Sequence, residues 1–385
     1  MDHFPVDAEA ATMDNSFSYG HASAPQWITA AQDCLAQLGG KPAGANLGFL
    51  YVTDDFADDL EDILDFFKAR TAVAHWVGGV GVGICATGQE YLDEAAMAVM
   101  LAALPADAFR VLPGLTLSSP GLTAPDLAHV HGRPAQSGIV HGDPYTAGIP
   151  ELIELLAGRV ASGFLVGGLT SSRRRNLQIA DTVGSGCLSG VLLADTVPIV
   201  SRLTQGVSPL GPQHEVTDCQ RNILISLDGR PALDVFYEEI GEILARDLNR
   251  AAGYIFAGLP IPGSDTGDYL VRNLIGIDTG QKLIAIGEML EPGMPLMFCR
   301  RDGMSAHQDM LRMLAELKRE LRAPPRGGVY YSCLGRGAGL FGPDSVELKL
   351  IREQLGDFPL VGFFANGEIS HDRLYGYTGV LTLFT

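Results

Sequence analysis

Two carboxylates stand in two glycine-punctuated stretches near opposite ends of the 385-residue chain: Glu90 in "VGICATGQEY" (82–91) and Glu368 in "VGFFANGEIS" (361–370). Laid together, Val82/Val361, Gly83/Gly362, Ala86/Ala365 and Gly88/Gly367 coincide, with Gln89 opposite Glu368. If the stretches face one another, Glu90 and Glu368 converge as an acid/base pair; otherwise each accepts backbone N–H groups or lines a ligand pocket. Arg336 directly follows "VYYSCLG". An arginine among glycines at a strand end can fork onto a carboxylate or phosphate of a ligand, or form a salt bridge, with Glu368 as one partner. Cys333 would serve as a nucleophile only with a base from elsewhere, because its own stretch holds no histidine or acid. Its other reading is a buried structural thiol.

"GAGLFG" (337–342) spells GxGxxG between a strand and a helix. Pro343, however, places the helix start after the third glycine. The counterpart turn "TDDFADD" (53–59) is acidic and would repel a pyrophosphate. The context argues against a dinucleotide and leaves a small anion on backbone N–H groups. His129, His131 and His141 fall within "HVHGRPAQSGIVHG", which lacks HExxH, CxxCH or any spacing tied to one metal. Triad and Walker signatures are absent.

These residues need elements to hold them. "NLGFLYV" (46–52) reads as a strand, "DDFADDLEDILDFFKAR" (54–70) as an amphipathic helix, and "HWVGGVGVGICA" (75–86) and "MAVMLAAL" (97–104) as strands. The helix begins with acids and ends with Lys68 and Arg70, as its dipole favours. The C-terminal end repeats the order with strand 327–334, helix 343–355, strand 358–365 and strand 377–384. Gly48 to Gly83 spans 35 residues and Gly328 to Gly362 spans 34, the mark of an internal repeat. A weaker third copy runs through 137–142, 149–159, 162–170 and 186–194, and its strand end carries Thr170-Ser171-Ser172. Helices are also expected at 25–38, 234–248 and 304–321, with a strand pair formed by "YLVRNLIGI" and "LIAIGEML" around "DTGQ". Residues 105–136, 205–217 and 257–268 read as Pro/Gly-rich connections.

Hydrophobic residues make up 46% and charged residues 19%, which sets a large buried core. A net charge of −18 argues against nucleic acid and anionic membranes as partners. Arg173-Arg174-Arg175, the one dense basic run, reads as a solvated loop. No stretch reaches the roughly 18 apolar residues of a membrane span, and no secretory signal pattern opens the chain. Six cysteines without a CxxC pair fit reduced, buried thiols and a cytoplasmic location.

Taken together, "SCLGRG", "PLVGFFANGEIS", "YGYTGVLTLF", "RLTQGVSPLGPQHEVTDCQRNILISLDGRPAL", "GICATGQE" and "FLVGGLTSS" resemble the FIST family (F-box and intracellular signal transduction proteins) over about residues 45–384. The resemblance implies an intracellular sensory module for small ligands, amino acids or their derivatives among them. Some bacterial relatives are similar to haem-binding nitric oxide sensors that act on a histidine kinase, so haem stands as an alternative, although no matched motif here carries a ligating histidine. The sequence shows no kinase, cyclase, chemoreceptor or F-box segment, and any output would run through a separate partner.

The expected fold is α+β, with repeated strand–helix–strand–strand units forming mixed sheets faced by helices. The expected division is a leader with one helix (1–44), an N-terminal region (45–235) and a C-terminal region (236–385). Equivalent strand ends would converge on one pocket lined by Thr87, Gln89, Glu90, Thr170, Ser171, Cys333, Arg336, Asn366 and Glu368. Rival readings are an enzyme using Cys333 or the Glu90/Glu368 pair, and a scaffold without a cavity.

Overall fold

The computed structural model describes residues 16–119, 122, 125–245, 253–261 and 268–385. Within them the chain writes one supersecondary unit three times. The first unit is β1 (Phe17–Ser23), α1 (Trp27–Gln37), β2 (Leu47–Thr53), α2 (Leu60–Thr71), β3 (His75–Gly81), a hairpin of β4 (Gly83–Ala86) and β5 (Gln89–Leu92), and β6 (Ala96–Ala102). The second is β7 (Phe109–Leu115), the short β8 (His129–Val130), β9 (Arg133–Gly142), α3 (Ile149–Ala157), β10 (Phe164–Leu169), the hairpin β11 (Gln178–Ala180) and β12 (Thr182–Gly184), and β13 (Leu188–Ala194).

The third unit opens with β14 (Ile199–Gln205) and is then interrupted by an inserted sheet. The insert holds β15 (Val207–Pro209), β16 (His214–Gln220), β17 (Ile223–Leu227), β18 (Arg230–Pro231), α4 (Ala232–Ala245), β19 (Ile255–Pro260), β20 (Tyr269–Asp278), β21 (Leu283–Ile286) and β22 (Pro295–Arg301). The unit resumes with α5 (Gly303–Glu320), β23 (Gly327–Cys333), the short α6 (Ala338–Phe341), α7 (Val346–Leu355), β24 (Leu360–Ala365), the hairpin β25 (Glu368–Ser370) and β26 (Arg373–Tyr375), and β27 (Thr378–Phe384).

Each unit gives its hairpin away. The sheets run β1-β6-β2-β3-β11-β12, β26-β25-β10-β9-β13-β7 and β14-β27-β23-β24-β4-β5. The hairpin of unit two therefore completes the sheet of unit one, that of unit three completes unit two, and that of unit one completes unit three. The exchange closes a ring with pseudo-threefold symmetry. One parallel pair lies at the centre of each sheet (β2/β3, β9/β10, β23/β24), flanked by antiparallel neighbours. The expected α+β class with mixed sheets is what forms.

The central strands are apolar on both faces because both faces are covered. Their inner faces meet in one core that includes Phe49, Ile139, Val166, Val329, Phe363 and Val380. Their outer faces pack against α1 and α2, against α3, and against α5 and α7. Gly78, Gly167 and Gly362 sit opposite Leu50, Val140 and Tyr330 in the three parallel pairs. A Cβ on them would lie 1.8, 1.8 and 1.7 Å from those residues' carbonyl oxygens. Only glycine permits that approach.

This register corrects the letter match between the two glycine stretches. The counterpart of Gly362 is Gly78, not Gly83, and "VGICATGQEY" forms the exported hairpin rather than a unit's own second strand. That hairpin pairs antiparallel with β24, Val361 opposite Ala86 and Phe363 opposite Ile84. The two stretches do face one another, as bonded neighbours.

On the pseudo-threefold axis stand Tyr51, His141 and Tyr331, one from the first parallel strand of each unit. The Tyr51 hydroxyl lies 2.9 Å from His141 Nε2 and 2.8 Å from the Tyr331 hydroxyl, and Tyr331 to His141 is 3.4 Å. Burial pushes His141 down to about 3, so it is neutral. His129 and His131 lie apart from it, exposed at the β8 turn.

Several smaller expectations shift. Edge strands β1, β7 and β14 were not expected, and stretches read as connections contain β7, β8, β15 and β16. Helix α7 begins at Val346 rather than at Pro343, because Asp344 and Ser345 both take positive φ (69° and 56°). Helix α4 covers the described part of the 234–248 expectation, and residues 246–248 lie outside the described residues. Residues 1–15 of the expected leader also lie outside them. Position 235 falls inside α4.

Candidate functional site

The C-terminal ends of β23 and β24 carry Cys333, Arg336 and Asn366, and the exported hairpins bring Glu90 and Glu368 beside them. The nine expected residues do not share one pocket. They divide into packed ties, a buried charge cluster and a cleft.

Thr87, Gln89, Thr170 and Ser171 are ties. Thr87 Oγ1 donates to Phe358 O at 2.8 Å and accepts from Leu360 N at 3.0 Å, which fastens the unit-one hairpin to β24. Gln89 Nε2 donates to Glu90 O. Thr170 bonds Gly142 O. Ser171 Oγ donates to Phe364 O and accepts from Val82 N, so one hydroxyl joins all three units. The arginine run lies on an exposed loop, as expected, and also makes ion pairs. Arg173 holds the buried Asp54 through its N–H, Nε and Nη2 (2.7, 3.0 and 2.8 Å), and Arg174 reaches Asp58 at 3.5 Å.

Arg336 is fully buried and forms its salt bridge with Glu347, in the first turn of α7. Nη2 and Nε lie 2.7 and 2.8 Å from Glu347 Oε1. The carboxylate also accepts from the Tyr330 hydroxyl (2.6 Å), Ser332 Oγ (3.1 Å) and Gly337 N (3.2 Å). Burial works against the guanidinium's charge, but Glu347 more than compensates and holds Arg336 protonated. Its terminal nitrogen Nη1 has no hydrogen-bond partner. The expectation that Arg336 anchors a ligand carboxylate gives way to an internal ion pair, because Glu347 occupies its fork.

Glu90 lies beside this pair, with Cys85 opposite it in the hairpin and its backbone N–H bonded to Ser345 Oγ at 2.9 Å. Neither of its carboxylate oxygens has a partner of good geometry. Burial first and Glu347 second push Glu90 up to about 7. Backbone N–H groups of Leu348 and Glu347 and the charge of Arg336 offset this only in part. Glu368 is fully buried; its Oε2 accepts from Thr378 Oγ1 (2.7 Å) and N (3.1 Å), while Oε1 has no partner. Burial pushes it up to about 8, against the Thr378 bonds and Arg336. Both acids feel Arg336, but no hydrogen bond joins them. Near neutral pH, Glu368 thus stays mostly protonated and Glu90 partly so, beside the Arg336–Glu347 ion pair.

Cys333 and Asn366 line a cleft of about 820 Å³ between the ring and the insert. The insert contributes Leu270–Asn273 and Ile275 of β20 with Glu288; the ring contributes Leu334, Gly335, Gly367 and Asp372–Tyr377, with Pro150, Glu151 and Glu154 of α3. Burial, and then Glu368 beside it, push the Cys333 thiol up to about 12, so it stays protonated and un-nucleophilic. Tyr377, on the rim, holds φ at 61°, a region bulky residues rarely enter. Its ring packs tilted against Phe256 with centroids 4.2 Å apart, and its hydroxyl donates to Asn273 Oδ1 at 2.8 Å. Both contacts reach the insert, so strain in the ring is balanced by contacts across the cleft.

The sequence reading missed Glu347, Tyr377 and the insert's wall. Glu347 had a visible signal, an acid opening a helix eleven residues past Arg336. Tyr377 had none, since nothing local announces a positive φ on tyrosine. Among the described residues no group of three or more His, Cys, Asp or Glu side chains is placed to hold a metal, and no helix is long and apolar enough to cross a membrane.

Comparison with known proteins adds the following. A model described as the FIST N domain matches residues 46–230, and one described as the FIST C domain matches residues 232–371. An uncharacterized protein of Mycobacterium tuberculosis (strain H37Rv) is 33% identical over 390 residues, covering 95% of this chain and 98% of its own. An uncharacterized protein of Mycobacterium bovis is 31% identical over 358 residues, covering 88% of this chain and 89% of its own.

Proposed function

The chain belongs to the FIST family, whose domains are associated with sensing in signal transduction, and from that premise we propose that it binds a small ligand in the cleft between ring and insert and signals through a separate partner protein. The observation that carries this reading is the cleft itself, walled by both bodies at once and bordered by the strained Tyr377. The insert joins the ring at two crossings only, Gly206 and Asp302. A ligand touching β20 on one side and the ends of β23 and β24 on the other favours one placement of insert on ring, and that preference is the signal. An amino acid or a derivative, the ligand class the family resemblance implies, is of a size the cleft accepts. A histidine kinase would be one such partner.

A haem does not fit this cleft. Its described lining holds no histidine, Cys333 is a protonated thiol, and the Tyr377 hydroxyl is already committed to Asn273. His141 is enclosed by Tyr51, Tyr331 and Phe363 in the ring's centre. Native mass spectrometry of freshly purified protein tests the proposal, with an Asn366→Trp variant that fills the cleft alongside. A metabolite-sized mass on the wild type that is absent from the variant supports it. Equal retention by both proteins places the ligand elsewhere.

A further inference from the structure

The cleft's charges are unevenly matched. Arg272 Nε is 2.9 Å from Glu288, and its Nη1 and Nη2 donate to Val271 O and Leu374 O. Arg373 pairs with its neighbour Asp372 at 2.8 Å. Both cations of the lining are thus engaged by acids of the same lining. Glu151 and Glu154 of α3 remain, exposed on one side of β26 and, among the described residues, without an ion pair. On the other side of β26 the wall is apolar: Ile275 of β20 is 64% exposed, and Leu334 on the strand-end loop is 42% exposed. Leu270 and Leu374 continue this wall. Behind the floor, next to Cys333, lies Glu368, fully buried with Oε1 unpartnered. Arg336 is the positive charge that Glu368 feels, from the side of the buried cluster.

We infer that the cleft takes a small organic cation, an apolar body carrying an ammonium group, with the ammonium toward Glu151 and Glu154 and the body against Ile275 and Leu334. An anionic ligand would meet uncompensated carboxylates and no free cation. A neutral one would use the apolar wall alone. This deepens the proposed sensory function and rests on the same cleft, adding the charge class of what enters it.

The test uses three probes of one shape, phenethylamine, 2-phenylethanol and 3-phenylpropionate, titrated calorimetrically into the full chain. Wild type, Glu151→Gln/Glu154→Gln and Asn366→Trp proteins are compared. Both glutamates are exposed on α3, so their replacement leaves the fold intact. The amine is expected to bind most tightly, and the double variant to weaken it about three- to tenfold while leaving 2-phenylethanol unchanged, the scale of two exposed charge contacts. Binding of the carboxylate as tightly as the amine, or an unchanged amine affinity in the double variant, overturns the cation class and leaves the cleft standing as a ligand site. Amine binding that survives Asn366→Trp undiminished, or no binding of any probe, overturns the cleft reading as well.

Discussion

Replacing Glu90 by glutamine should change how the stability of the protein depends on pH. Glu90 is pushed from the ordinary 4.5 up to about 7, by burial first and by Glu347 second. An acid raised in this way holds a proton in the fold that the unfolded chain has released. Its contribution is therefore complete below the unfolded value of 4.5 and is lost as pH rises through 7. The whole rise corresponds to about 3 kcal/mol. Roughly two fifths of it has gone by about pH 5.5, so the loss between about pH 5.5 and 8.5 is ~2 kcal/mol. Glutamine keeps the shape and never ionises. Urea unfolding of both proteins at those two pH values gives the comparison, in which Glu368 and every other titrating group cancels. Wild type should lose ~2 kcal/mol more than Glu90→Gln over the interval. Parallel losses would refute the reasoning, because they would mean that the Glu90 carboxyl ionises in the fold as freely as in water.

Four further outcomes are expected. Arg336→Met should cost about 3–5 kcal/mol by leaving Glu347 charged and unpaired in the interior, while Arg336→Met with Glu347→Leu should cost clearly less; equal denaturation midpoints for the single and double variants would deny the pairing. Gly362→Ala should abolish cooperative thermal unfolding, since its Cβ would stand 1.7 Å from Tyr330 O; an unchanged melting temperature contradicts the register. In maleimide labelling near neutral pH, Cys187 and Cys219 should react before Cys333, which stays a protonated, buried thiol until the chain unfolds; early labelling of Cys333 contradicts that. Residues 46–230 expressed alone should fail to fold, because β4–β5 loses β24 and β10 loses β25; a cooperative far-UV transition from that fragment would sink the exchange of hairpins.

The repeat was legible because strand, helix and strand follow one another locally, and local order survives in the letters. Its register was not. Gly83 matches Gly362 in sequence, yet the glycine demanded by close approach is Gly78, and only pairing with Leu50 identifies it. The hairpin exchange was invisible for a related reason, since β4 (Gly83–Ala86) finds its partner in β24 (Leu360–Ala365), well over half the chain away. Arg336 stands at the strand end where the sequence puts it, but the partner of its salt bridge comes from the helix and not from the glycine stretch. Cys333 and Asn366 line a cleft, while one wall of it belongs to β20, a strand foreseen as part of a pair whose placement against the ring no local pattern records.

The strand ends of the three units differ in what closes them. After β2, Asp54 is closed by Arg173 of unit two. After β9, Asp143 is closed by Tyr145 N and Gly186 N at 2.9 and 2.8 Å. β23 ends at Cys333 and is followed by Leu334 and Gly335, uncharged residues that recruit no such closure and line the cleft against the insert. The same unit carries the buried cluster, and Arg336 is its one positive charge, facing Glu347 and Glu90 on one side and Glu368 and Cys333 on the other. A charge placed on the cleft floor is therefore felt first at Glu368, then at Arg336, and through Arg336 at the hairpin that unit one lends to unit three. The symmetry of the ring is broken at the site where a ligand could change the charge balance of its interior.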